Sequence, residues 1–192
     1  MTDTVVRLAM NLFRAPPLTG REFMDYRASR ECETIVGVGL SVVLPTGEYD
    51  SDKLINLGAN RFSFCPQLGV VHGVGKWSFE FIGSTCLFTE NDDFFGGRKL
   101  EQDPLVILQG HVVHTFRPGL WLGASLGYDF GGQSAIDGVK KADGKELLSW
   151  GITCGMPLNR SVGLKFGYID TRSRRTTGAD LGNFVAAVSV MW

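Results

Sequence analysis

Hydrophobic and polar positions alternate with a period of two along most of the chain, in segments of about ten residues, the pattern of half-buried strands. In 4–13, Val6, Leu8, Met10 and Leu12 oppose Arg7, Ala9 and Asn11. The same reading holds for 34–44, 61–71, 77–88, 104–115, 120–130, 147–157, 161–169 and 183–192. Each segment has one greasy face and one small or polar face, so about nine strands are predicted. Connections alternate too. Short turns sit at 73–76, 117–119 and 158–160, and long polar loops at 45–60, 89–103, 131–146 and 170–182. Short connections at one end and long ones at the other are the layout of an outer-membrane barrel. A soluble β-sandwich or a lipocalin-like barrel is the competing reading, but a sandwich has no reason to sort its loops by end.

One segment breaks the alternation. Pro16-Pro17 stops the first strand, and Thr19-Gly20-Arg21-Glu22 has the capping-box form that opens a helix, predicted here over 20–30. Composition narrows the classes. With 44% hydrophobic residues, 20% charged and a net charge of -1, the chain is neither disordered nor basic enough for a nucleic-acid binder. No apolar run reaches the ~18 residues of a membrane-spanning helix. Glycine, 25 of 192 residues, is nearly twice the ordinary ~7%, and 13 Phe with 4 Trp and 4 Tyr add to an all-β picture. The four cysteines show no CxxC spacing, and the N-terminus has no basic, apolar and small-residue succession of a signal peptide.

Several loop and turn motifs resemble those of a known family. They are 45–50 (PTGEYD), 53–58 (KLINLG) with Asn60-Arg61, 88–97 (FTENDDFFGG) and 101–104 (EQDP). Gln109-Gly110-His111, 116–121 (FRPGLW) and 157–160 (PLNR) continue the match over nearly the whole chain. The family is the bacterial outer-membrane transporters associated with the "MetA pathway of phenol degradation". The resemblance implies an all-β, antiparallel, up-and-down transmembrane β-barrel of about twelve strands. About nine of them are present here, with one short helix near 20–30. Residues 1–192 are then a single outer-membrane domain, the C-terminal portion, with the signal peptide and first strands absent. The loop at 172–180 departs from the family's tighter turn. The implied function is a channel or transporter for small apolar or aromatic compounds. The alternative is a structural or interaction barrel with a plugged lumen whose long outer loops bind a partner. Implied partners are membrane lipid, the barrel-assembly machinery and a small apolar solute, with no nucleic acid, in the bacterial outer membrane.

Candidate chemistry follows from the two faces. Arg7, Asn11, Gln67, Glu80, Gln109, His111, Ser149, Thr153 and Lys165 fall on the small or polar face and are expected to line the lumen. There Glu80 and Lys165 are expected in ion pairs, since unpaired charge is costly. Trp77, Phe116, Trp121 and Trp192 cluster at the short-turn ends, and Phe62, Phe64, Tyr128, Phe130 and Tyr168 toward the long-loop ends, as two girdles. The resemblance makes Trp192 the terminal aromatic read as an assembly signal. No serine sits in a nucleophile-elbow context and only three histidines are present, so no enzyme is expected. No cofactor or metal is expected either, the acidic Glu90, Asp92 and Asp93 lacking an EF-hand pattern and reading as solvated loop charge. A turn near Val74-Gly75 makes residues whose numbers sum to about 150 face each other, which brings Cys65 and Cys86 together on the polar face. Finally, nine strands is an odd number where single-chain barrels use even ones. The strands at 4–13 and 183–192 are therefore expected to be edges of a curled, open sheet.

Overall fold

The nine alternating segments all form strands. In the computed structural model, residues 1–14, 19, 22, 26, 31–159, 161–176 and 178–190 are described. The long strands are β1 (Thr4–Phe13), β2 (Cys32–Leu44), β3 (Ser63–Val74), β4 (Trp77–Phe88) and β7 (Leu105–Arg117). They continue with β8 (Leu120–Gly131), β11 (Lys145–Pro157), β12 (Val162–Ser173) and β13 (Leu181–Val190). They pair antiparallel in the order β1-β2-β3-β4-β7-β8-β11-β12-β13, a nine-stranded meander. At 10 to 13 residues, each is long enough to cross a bilayer when tilted, which takes about 9–11.

The sheet does not close. Among the described residues β1 and β13 pair only with β2 and β12, so the up-and-down barrel is corrected to an open sheet, and the strands at 4–13 and 183–192 are its edges, as the odd strand count predicted. Closure requires the two outer strands to meet, and no pattern within a strand carries that information. The strand number is corrected as well, to 13 among the described residues. Four short strands, β5 (Asn91–Phe94), β6 (Arg98–Gln102), β9 (Ser134–Ile136) and β10 (Val139–Lys140), form a second sheet of order β10-β9-β6-β5 from two of the long loops. Of the helix expected near 20–30 only Glu22 and Tyr26 are described, and both are helical; the rest of that range lies outside the described residues. Thr19 and Glu22 do make the predicted local contacts: the Thr19 backbone N–H and hydroxyl both donate to Glu22 Oε2, at 2.9 and 2.7 Å.

Register confirms two chemically distinct faces, because directly paired residues point the same way. One face carries Leu8, Leu40, Leu68, Phe81, Leu126, Ile152 and Phe166 and is apolar from edge to edge. No second layer of described residues covers it. Among the described residues no hydrophobic side chain is buried. The chain exposes 12689 Å², against the about 9,000 Å² expected of a compact soluble monomer of its mass. This excludes the sandwich alternative, whose stability depends on a buried core.

Turn chemistry fixes the register. Gly75, at φ 54°, takes the first position of the two-residue β3–β4 turn, where only glycine is unstrained. Val74 thereby faces Trp77, and pair numbers sum to 151, one more than the turn position suggested. Cys65 and Cys86 are joined in a disulfide. It lies where the β3–β4 pairing lapses between Phe64/Leu87 and Gln67/Ser84. Pro66, which has no N–H to donate, accounts for the lapse.

Candidate functional site

The nine polar residues singled out from the pattern share one face of the main sheet. Tracing pairs across the strands places Asn11, Gln109 and Ser149 in one transverse row, through Gly37, Gly69, Ile82 and Gly127. A second row runs Glu80, His111, Ser125 and Gly151. Glu80 and His111 alone among the nine are direct cross-strand partners; the others are set apart by glycines and small residues.

Three of these groups bond sideways along the face. Arg7 Nε donates to Ser41 Oγ at 3.0 Å, His111 Nδ1 lies 2.8 Å from Ser125 Oγ, and Ser149 Oγ is 2.9 Å from Thr171 Oγ1. Gln67 lies over Gly39, and Thr153 is wedged between Gly123 and Gly167, whose missing side chains make its room. Such pairing limits the cost of polar groups away from bulk water. The ion pairs expected of Glu80 and Lys165 are not formed among the described residues. They stand on β4 and β12 with three strands between them. Instead Lys165 Nζ sits 5.6 Å from the Trp121 ring centroid, a cation–π contact.

That contact corrects the aromatic girdle. Trp121 pairs with Thr115 and Gly155 and so belongs to the polar face. Gly155 is glycine of necessity, since a Cβ there would come within 2.3 Å of the indole Nε1. Trp192 lies outside the described residues. On the apolar face the turn-end aromatics do cluster: the Trp77 and His114 rings are 4.4 Å apart and those of His114 and Phe116 4.7 Å. Toward the loop ends, Tyr128–Phe130 and Trp150–Tyr168–Phe184 form a second band.

The Glu80–His111–Ser125 row has the residue types of a hydrolytic triad. It lacks the means to stabilise an oxyanion, which needs free donors aimed at the developing charge. Ser125 lies mid-strand in β8, paired without interruption to β7 and β11, so the backbone N–H groups around it are spent on the ladder. No group of three or more metal-type ligands occurs among the described residues, and Glu90 of the acidic loop pairs with Lys99 at 2.7 Å.

The loop end holds what the strand pattern missed. Asn91, 1% exposed, joins two loops: its Nδ2 donates to Tyr49 Oη at 3.0 Å and Ala59 O at 3.2 Å. Its Oδ1 accepts from Asn60 Nδ2 at 3.0 Å and Asp93 N at 3.1 Å. Asp3 ties in the start of the chain, accepting from the N–H of Gly47 and of Ala59, both at 2.8 Å. Gly47 and Gly58 touch back to back, so a Cβ on either would clash with backbone at 2.7–2.8 Å.

A sequence model of the family described as "Putative MetA-pathway of phenol degradation" matches residues 24–184. The chain belongs to that family. Among solved structures it is similar to an outer membrane channel from Pseudomonas putida F1, with a TM-score of 0.76 and 24% identity over 99% of this chain and 67% of that one. At that identity the likeness carries the fold. No curated protein matches the chain significantly.

Proposed function

We propose that this member of the phenol-degradation family forms part of the wall of an outer-membrane channel that passes small apolar or aromatic compounds and catalyses no reaction. The carrying observation is the chemical division of the sheet. One face is apolar, uncovered and banded by aromatics at both ends, as a lipid-facing surface is. The opposite face is small and polar, with its side chains bonded to one another. Family membership and the similarity to an outer membrane channel support the same reading. On this reading Arg7, Asn11, Gln67, Glu80, Gln109, His111, Ser149, Thr153 and Lys165 face the conduit, and lipid covers the other side.

The test is flux. Full-length protein reconstituted in liposomes is expected to admit small aromatic solutes faster than protein-free vesicles do. Lys165→Glu is expected to shift the reversal potential of ion current toward cation preference. Correctly inserted protein that passes neither ions nor solutes defeats the reading.

A further inference from the structure

Arg61 precedes β3 and reaches between the long loops. Its guanidinium lies 4.8 Å from the Phe88 ring centroid, and Nη2 donates to Gln102 Oε1. Gln102 Nε2 in turn donates to Gly132 O at 2.9 Å. Nη1 is buried and bonds nothing, and Arg61 takes part in no ion pair among the described residues. Burial pulls its pKa down from the ordinary value, yet a guanidinium stays charged. A part-buried cation with one neutral acceptor is an uncompensated charge, a costly arrangement unless an anion completes it.

The same side chain lines a cavity of about 290 Å³ between the 45–62 and 89–102 segments. Tyr49, Leu54, Leu57, Phe94 and Leu100 supply the rest of its apolar wall. That volume is near the lower end of ligand pockets, about 300 Å³, and suits a single ring. Asn56 and Asn91 also line it, but their amides are committed to folding the loops. Asp3 lines it too, with each oxygen already held by a backbone N–H. Its negative charge does not neutralise Arg61 through contact, and it disfavours a ligand with a second negative charge.

We propose that this loop cavity is a binding site for a small aromatic or aliphatic monocarboxylate, its carboxylate on Arg61 and its hydrocarbon body against Tyr49, Leu57 and Phe94. Arg61 is matched to that headgroup because a charge-assisted N–H bond to a carboxylate is stronger than one to a neutral acceptor, so the carboxylate displaces Gln102 from Nη2. The proposal deepens the channel reading by giving the solute a charge class, and it rests on that reading only for the ligand's onward path.

Calorimetric titration of full-length protein in detergent tests it, with benzoate, neutral benzyl alcohol and the dianion terephthalate as probes. Saturable benzoate binding is expected, with the other two weaker by about tenfold or more, the loss of one charge-assisted contact. Arg61→Gln is expected to weaken benzoate by a similar factor, and Arg61→Lys by less. Ala59→Phe, which adds a ring at a lining position, is expected to abolish binding. Benzyl alcohol binding as tightly as benzoate, or benzoate binding unchanged in Arg61→Gln, overturns the proposal. Should Arg61→Gln fail to fold, the wild-type ranking of the three probes and Ala59→Phe still decide. Binding as expected without flux refutes the channel alone; flux without charge-selective binding refutes the site alone.

Discussion

At the scale of single residues, the loop end is organised by side chains that serve the backbone rather than a substrate. Asn91 uses both its donors and its acceptor across two loops while almost wholly buried. Asn91→Ala takes a partner from Asn60 and the Asp93 N–H, a cost below the about 1–3 kcal/mol of a fully buried group because both residues are exposed. Hydrogen exchange is expected to quicken at 45–60 and 89–103 while the long strands stay protected; unchanged loop protection would count against this role. Glu90 allows a pH test nearby. Its hydrogen bond with Lys99 holds the Glu90 carboxyl below the ordinary glutamate value. A depressed pKa means that the contact stabilises above that ordinary value and is lost as pH falls through the folded one. Both groups are exposed, so the effect is local and small. Titration followed by NMR at the Glu90 carboxyl should move upward in Lys99→Met, and an unmoved titration would show that the pair is not formed.

At the scale of elements, the β3–β4 hairpin shows a covalent bond placed where hydrogen bonding fails. Pro66 interrupts the ladder, and Cys65–Cys86 spans the same gap. Non-reducing digestion should yield the Cys65–Cys86 peptide pair, with Cys32 and Cys154 left to alkylation. Replacing both bridged cysteines by serine is expected to lower stability by about 3 kcal/mol, typical of a loop of this length, read as a lower urea midpoint. Alkylation of all four thiols without reductant would contradict the bond. This pairing was legible because a two-residue turn sets every partner in a hairpin by arithmetic. The long strands and their faces were legible because period-two alternation is repeated over ten or more residues. The second sheet was missed because its strands, two to five residues long, are too short to alternate. A signal was present nonetheless: Asp137-Gly138, with φ 51° and 74°, is the Asp-Gly pair of a tight hairpin. Trp121 was misplaced because nearness to a turn was weighed above its position in the alternation. Arg61 and Asn91 left no trace in the pattern, since their partners lie 41 and 42 residues away in other loops.

At the scale of the whole molecule, the two faces of one sheet differ in chemistry, and the channel proposed above requires them to meet different surroundings, a difference that can be measured at adjacent residues. Leu126 and Gly127 lie near the middle of β8. Leu126, 59% exposed, belongs to the apolar face between Gly110 and Trp150. Gly127 belongs to the polar face between Gln109 and Ser149, where an added Cβ would meet nothing closer than 3.5 Å. If lipid covers the apolar face, Leu126→Lys must hold an ammonium in hydrocarbon at midplane depth, which costs about 2–4 kcal/mol in a barrel wall. Gly127→Lys puts the same charge, on the same strand and one residue on, toward the conduit. There the cost is that of a lysine beside water and neutral polar groups, and glycine in a strand interior was already unfavourable. Strand propensity differs little between the two lysines, so the surroundings dominate the contrast. Folding of full-length protein into phosphatidylcholine vesicles, followed by gel mobility across a urea series, should show Leu126→Lys markedly destabilised and Gly127→Lys close to wild type. Equal losses in the two variants would mean that both faces see the same medium, and neither lipid on one side nor a conduit on the other would survive that result.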